Sequence, residues 1–430
     1  MQTEGRYKAE DLIEFGTAVL TNVGFPREQA YATSRVLVEA DMRGDSAHGI
    51  AGGSGLDDIL EKFNDGKTVI ADYSIDEPKY PTIISVDANG TLGHYVALEI
   101  LPKVIVTAKQ YGTASAYIRN STHFGDCGIY SEMIAEYDLA ARVTCTSPQW
   151  TKPFIEPQET AGEDAARYEG VKKRFGTNPI AWSIPYEGGI ATIDMAATQR
   201  AVSPAIGVSR HNASVLGITK EDGVYYIGVG EKRRRLSEVH YSLARSQSQE
   251  ELSGKLAELG YEEVHGLDAV QSGLLKGPHG EDINFPFAFD GVFMEQFWIA
   301  PLGGTIFGYK GFGLNMLIDL HNVIGGGAAE LIRKLEDGRP TTKERVSQTI
   351  EAYAIDAYAP LQEAKKRLKE SVDTTIGCGN KLMFLPGQKE HESKEACLRH
   401  GIPIPDSRIE TLKQIASELG LPFDLEPVSR

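Results

Sequence analysis

The chain has 430 residues, of which 41% are apolar and 24% charged, enough to bury a sizeable core without disorder as the default. Sixty acidic side chains against 44 basic ones give a net charge of −16, which argues against nucleic acid as the main partner, because phosphate binding needs positive surface. Cys127, Cys145, Cys378 and Cys397 are widely spaced and never form CxxC; with no signal-peptide pattern and no run near the ~20 apolar residues of a membrane span, a soluble cytoplasmic enzyme is the expectation.

Apolar spacing predicts helices over 9–23 and 27–42, separated by Gly24-Phe25-Pro26. A glycine-rich stretch, 44–55, comes next. Strands are expected at 82–86, 115–118, 143–146, 180–184 and 191–195, with helices at 94–109 and 129–137 between them. From about 231 to 284 the texture turns polar after Lys232-Arg233-Arg234-Arg235, with helical spacing at Leu252, Leu256 and Leu259. This reads as an inserted hairpin or small subdomain. A strand at 292–299, a glycine-rich turn and an apolar helix at 312–323 follow. Strands at 353–358 and 382–385 and helices at 393–400 and 407–419 complete the chain. Strands and helices mix without a regular βαβ rhythm, and no internal repeat is visible.

Common cofactor motifs are absent. Gly228-Val229-Gly230 and Gly377-Cys378-Gly379 both lack the third glycine of GxGxxG. Gly66-Lys67-Thr68 imitates the end of a P-loop, but Glu61 occupies the first glycine position. HExxH, GxSxG and an EF-hand are also missing. A nicotinamide cofactor would have to bind outside the Rossmann fold.

Four segments pair reactive groups with glycine. In Arg43-Gly44-Asp45-Ser46-Ala47-His48-Gly49 a histidine among small residues can approach a ligand, with Ser46 or Asp45 orienting its ring; a histidine capping a helix end is the plainer alternative. Asn120-Ser121-Thr122-His123-Phe124-Gly125 follows a strand, where α/β enzymes place their sites, or it is simply a polar turn. Phe175-Gly176-Thr177-Asn178 enters a strand, and Asp194 closes the next, either to stabilise an imidazolium or to cap a helix. In Pro301-Leu302-Gly303-Gly304-Thr305-Ile306-Phe307-Gly308-Tyr309-Lys310-Gly311-Phe312-Gly313, backbone N–H groups and Lys310 suit a pyrophosphate, unless the run is an unliganded lid.

Taken in order, these segments, with Ala40-Asp41-Met42, Pro386-Gly387 and Gly401-Ile402-Pro403, resemble the malate/L-lactate dehydrogenase family, which includes ureidoglycolate and sulfolactate dehydrogenases and ketimine reductases. The resemblance implies a non-Rossmann α/β fold: a mixed or antiparallel sheet domain at 75–320 binding NAD or NADP, with the insertion at about 231–284. A helical substrate and dimerisation domain would be built from 1–74 and 321–430. It further implies a homodimer with the active site in an interdomain cleft, and no metal. By the same resemblance His48 acts as acid/base with Asp194, or His123 takes that role. Arg43 and Ser46 would meet the substrate, and Phe124, Gly125, Ser147, Gly176, Thr177, Asn178, Gly308, Tyr309, Lys310, Gly311, Phe312 and Gly313 the cofactor.

Two departures from the family pattern bear on the substrate. Ala47 stands where a serine precedes the histidine, and Gly52 stands where an arginine often grips the substrate carboxylate. The leading reading is therefore an NAD(P)-dependent oxidoreductase of 2-oxo/2-hydroxy acids held by another cation, or of a larger, less acidic molecule. An imine reductase is the alternative, as is a cofactor-binding protein that has lost turnover. The Lys232–Arg235 run reads as a solvated face.

Overall fold

The computed structural model of the chain describes residues 4–155, 171–199, 212–213, 215–221, 224–261, 264–265, 267, 269, 275–276, 282–286, 297–326, 345–357, 359–379 and 383–428. Helix α1 (Ala9–Asn22) buries Leu12, Phe15, Val19 and Leu20, and α2 (Arg27–Met42) buries Val36, Leu37 and Ala40. A short helix, α3 (Leu56–Asn64), follows the glycine-rich stretch. In α4 (Gly93–Tyr111) the buried Val96, Ile100, Val104 and Ala108 recur every fourth residue. Gly112, at φ +83°, ends it in the left-handed conformation that L side chains avoid. Helix α5 (Cys127–Ala135) starts at Asp126, whose carboxylate accepts the Gly128 N–H at 2.9 Å.

The chain forms two compact units. The first comprises Met1–Ser147, Pro179–Met195 and Ile318–Arg430, and the second Pro148–Asn178 and Ala196–Leu317. These boundaries run differently from the expected 75–320 division, because one sheet draws strands from both sides of it.

In the first unit, β1 (Glu4–Tyr7) pairs with β15 (Ile402–Pro405), tying sequence-distant segments together. The main sheet uses β2 (Ser74–Ile75), β3 (Ile83–Asp87), β4 (Thr113–Ser121), β5 (Leu139–Cys145), β6 (Ile180–Tyr186), β7 (Gly189–Met195) and β14 (Val346–Ala354). Their order is β2-β3-β4-β14-β5-β6-β7. Only β3 and β4 run parallel; every other pairing in the sheet is antiparallel. This is the expected mixed, largely antiparallel α/β sheet and not a Rossmann order. Helix α4 packs on β4 and β14, and α5 on β5, β6 and β7. Helices α9 (Leu361–Cys378), α10 (Gln388–His400) and α11 (Asp406–Glu418) follow β14.

The second unit holds β8 (Thr219–Glu221), β9 (Val224–Ile227) and β10 (Arg234–Arg235) in one small sheet. A further small sheet contains β11 (Leu275–Lys276), β12 (Asp282–Ile283) and β13 (Trp298–Ile299). Helices α6 (Leu236–Ala244) and α7 (Gln249–Glu258) bury Leu236, Leu252 and Leu256 with Ile227. Ser248 caps α7 by accepting the Glu251 N–H at 3.1 Å. Arg233, from the basic run, pairs with Glu221 and lies over the Tyr226 ring. Helix α8 (Gly304–Ile324) begins in this unit.

Two expectations need correction. The strand expected at 353–358 lies at Val346–Ala354, because its buried Ser347, Gln348, Thr349 and Glu351 disguise a central strand as polar chain. Each is paired: Ser347 with Thr146, Gln348 with the Thr122 carbonyl, Thr349 with Asn322, Glu351 with Arg142. The glycine-rich turn before 312 is helical from Gly304 onward. Residues 361–378, within the stretch 321–430 expected to be helical, form α9. Residue 382 of the expected 382–385 strand lies outside the described residues, and 383–385 form no strand. Most of the strand expected at 292–299 also lies outside them, leaving β13. Among the described residues no helix is long and apolar enough to cross a membrane.

Candidate active site

In the first unit the chain leaving α2 folds into a tight knot. The Ile50 N–H donates to Asp41 Oδ2 at 2.7 Å, and a Cβ on Gly49 would fall onto that carboxylate. Burial pushes the Asp41 carboxyl up to about 7, with the Ile50 N–H only partly offsetting it. Gly52 is just as constrained. A Cβ there would stand 2.4 Å from the Ala47 carbonyl oxygen and 2.5 Å from that of Ser46. Glycine at 52 therefore answers to a close backbone approach, and no room opens there for an arginine.

This knot presents His48. Its Nδ1 lies 2.6 Å from Asp45 Oδ2, while Asp45 Oδ1 accepts the Ala47 N–H at 3.1 Å. Of the two orienting groups foreseen, Asp45 holds the ring; Ser46 is exposed, and its carbonyl accepts from Arg408. The His48 side chain keeps 23% of its surface exposed. Burial opposes its charged form, but the Asp45 contact, helped by Asp126, raises its proton affinity above the ordinary histidine value.

His123, just past β4, stacks on His48 with ring centroids 5.2 Å apart and planes at 11°. Its Nδ1 accepts the Gly125 N–H at 3.2 Å, which leaves the proton of the neutral ring on Nε2. Burial, together with the charges of His48 and Lys62, holds its pKa well below the ordinary value. Two stacked imidazoles are thus pushed in opposite directions, one toward imidazolium and one toward the neutral ring. Phe124 turns its ring into the core against Tyr130, at 4.8 Å between centroids.

Around the start of α5 a buried charge cluster forms. Arg43 gives its Nε to Asp126 Oδ2 at 3.3 Å and its Nη1 to Glu132, and these carboxylates raise the guanidinium's pKa against the cost of burial. Arg43, expected to meet substrate, is engaged here instead. Asp194, from β7, accepts the Gly128 N–H and shares a hydrogen bond with Asp126. Burial and the Asp126 carboxylate push Asp194 well above the usual carboxylate range. Asp126 stays below it: burial opposes its charge, but Asp194, Arg43 and His48 outweigh that cost. Asp194 keeps exposed surface, and the adjacent Asp126 carboxylate holds its proton in place. One proton shared by the pair accounts for both directions. The carboxylate on His48 is Asp45, and Asp194 faces Asp126.

The second unit carries Gly176, Thr177, Asn178 and 308–313. Asn178, at φ +37°, donates to Asn315 Oδ1 at 2.7 Å, and Asn315 donates to the Gly176 carbonyl at 2.9 Å. The 176–178 turn is thereby clamped to α8. The Gly311 N–H donates to the Leu302 carbonyl at 3.2 Å, and a Cβ at Gly311 would stand 2.4 Å from Leu302 backbone atoms. That N–H group is spoken for. Gly308 packs against Phe154 and Pro301, whereas a Cβ at Gly313 would meet nothing within 4 Å. Phe307, Tyr309 and Lys310 stand exposed on α8, with the ammonium over both rings at 5.4 and 5.9 Å. Phe312 packs edge-on against Phe175. Ser147, at the end of the first unit's opening segment, is half-buried.

Sequence reasoning missed Asp126, Glu132, His94 and Asn315. Only Asp126 carried a signal, as a capping residue two before a glycine at a helix start. Among the described residues no cluster could hold a metal ion.

Residues 7–214 match the family model described as malate/L-lactate dehydrogenase. A malate dehydrogenase of Pyrococcus abyssi is 24% identical over 97% of this chain and 95% of its own. An NADP(+) (2R)-3-sulfolactate dehydrogenase of Chromohalobacter salexigens is 30% identical over 40% of this chain and 46% of its own. The crystal structure of malate dehydrogenase from Entamoeba histolytica shares the fold with a TM-score of 0.70 at 19% identity, over 98% of this chain and all of that one. Residues 7–214, just under half of the chain, are thus similar to the malate/L-lactate dehydrogenase family, and the chain as a whole shares the fold of such dehydrogenases.

Proposed function

We propose that this chain is an NAD(P)-dependent oxidoreductase of 2-oxo/2-hydroxy acids in which His48 supplies or removes the proton. The observation that carries the reading is the Asp45–His48–His123 arrangement, with one oriented imidazole inclined to hold a proton beside one inclined to stay neutral. Pairs of titratable groups driven apart in this way mark acid and base roles. The nicotinamide, when bound, exchanges the hydride with the carbon that bears the oxygen.

The chain's own contribution is orientation and the proton. Asp45 fixes the His48 tautomer through Nδ1, leaving Nε2 to give a proton to a carbonyl oxygen or take one from a hydroxyl. Neutral His123 keeps a second positive charge away from His48 and offers Nε2–H as a hydrogen-bond donor. Arg43 is bound to Asp126 and Glu132, and position 52 is closed, so a substrate carboxylate needs another cation. Lys62 fits that need. Its ammonium is held by Asp58 at 2.8 Å, and its charge reaches His94 and His123.

The exposed face of α8 suits a dinucleotide in chemistry: an ammonium without an ion pair among the described residues, two exposed rings and open space at Gly313. Lys310, Tyr309 and Gly313 would hold it there, with Gly308 and Gly311 shaping the helix. A homodimer, as the family resemblance implies, belongs to the same reading.

The test is nicotinamide absorbance during turnover with a panel of 2-oxo acids, aldehydes and cyclic imines, using NADH and NADPH separately. Turnover of a 2-oxo acid that falls on Lys62→Met through a raised KM supports the reading. Turnover of cyclic imines alone replaces the substrate class, and binding without turnover of anything points to a cofactor-binding protein.

A further inference from the structure

A third imidazole lies beside the stacked pair. His94 is the second residue of α4, is 1% exposed, and has no hydrogen-bond partner on either ring nitrogen among the described residues. Its ring centroid is 5.9 Å from that of His123, at 56°. The placement is rigid. The Gly93 N–H donates to Thr122 Oγ1 at 2.9 Å, Thr122 Oγ1 donates to the Thr91 carbonyl at 3.1 Å, and a Cβ on Gly93 would strike the Thr122 carbonyl oxygen. The start of α4 and the 121–125 segment are thus locked together, with Gly125 leaving room for the edge of His94.

A buried imidazole with both nitrogens unpaired is costly, because each nitrogen gave up water and gained nothing. If packing were all that site required, phenylalanine or leucine would fill it at less cost. Burial holds the His94 pKa to about 3, so its ring is neutral and always has one nitrogen free to accept. His123, with Nδ1 taken by Gly125, has its one N–H on Nε2. At 5.9 Å between centroids, ring nitrogens turned toward each other would come within roughly an ångström of the ~3 Å needed for a hydrogen bond.

We propose that His94 is a positioning residue for His123, an uncharged acceptor set beside that ring to take its Nε2–H and so to restrict the positions the ring adopts. The inference deepens the function proposed above and rests on it for its catalytic meaning. The contact itself does not depend on the substrate.

The test uses the full chain with 15N-labelled histidine at one alkaline pH, and it reads the exchange of the His123 Nε2–H with water, assigned by loss of the signal in His123→Gln. In His94→Phe, which preserves shape and removes both nitrogens, exchange should quicken at least tenfold while Tm stays equal or rises. In His94→Gln, which keeps an acceptor, exchange should remain within about threefold of the parent. Unchanged exchange in His94→Phe overturns the proposal. Should His94→Phe fail to fold, His94→Gln decides alone: retained protection supports the contact, and lost protection overturns it. Turnover is measured in parallel, and His94→Phe should lower kcat about tenfold with KM unchanged. A parent that turns over no 2-oxo acid would sink the proposed function and leave the exchange result to judge His94.

Discussion

The knot after α2 and the exposed start of α8 handle their reactive residues in opposite ways. In the knot, Asp41, Arg43, Asp45 and His48 are each tied to a named partner, and glycines sit where a Cβ would strike backbone or carboxylate. On α8, Phe307, Tyr309 and Lys310 stand in solvent, and Gly313 borders empty space. Groups that move a proton need fixed geometry before the substrate arrives. A surface that grips a large ligand gains its order from that ligand. Mutations should therefore cost most in the knot and least on the helix.

The largest effect should come from His48→Ala, which lowers turnover roughly 10²–10⁴-fold while calorimetric affinity for NAD(P)H barely changes. If turnover survives and His123→Ala abolishes it, the proton role moves to His123. Next in size is the carboxyl pair. Asp126→Asn leaves the buried Arg43 short of a charge and should destabilise by about 3–5 kcal/mol, read from urea midpoints. Asp194→Asn should be neutral or stabilising near neutral pH. Its raised pKa gives stability that is full below the ordinary carboxylate value and lost as pH rises through the folded one. Equal losses for the two variants would break the shared-proton assignment.

A smaller effect is expected from Asp45→Asn, and it should depend on pH. His48 has its pKa raised by Asp45, so the contact stabilises fully below about pH 6.5 and fades as pH rises through the folded value. The Tm difference from the parent should therefore shrink on going from mildly acid to alkaline buffer. A constant difference would assign Asp45 a role in the backbone turn alone. The smallest effects distinguish two glycines of one helix. Gly311→Ala meets Leu302 backbone and should cost about 1–3 kcal/mol. Gly313→Ala has free space and should stabilise by up to ~1 kcal/mol, losing NAD(P)H affinity only if the dinucleotide lies against it.

Much of the first unit was legible because its elements bury one regular face. The stripes of α1, α2 and α4 gave their positions to within a few residues. Strand β14 was misplaced because Ser347, Gln348, Thr349 and Glu351 are buried through long-range partners that local pattern cannot reveal. Glycines at 303, 304, 308, 311 and 313 read as a turn, yet tight packing on Pro301 and Leu302 demands two of them, Gly308 and Gly311, inside a helix. His48 and His123 announced themselves through flanking glycines. His94, in an ordinary helix start, did not, since its interest lies in what the fold sets beside it and what it lacks.

Strand β14 lies between β4 and β5 and is antiparallel to both. On the ribosome, β4 and β5 emerge some two hundred residues before the strand that joins them. Until then their inner edges are open templates for foreign strands, the state in which nascent chains aggregate. Completion of this sheet is a late, high-contact-order event that waits for residue 354, and synthesis pausing before that point would expose the chain most.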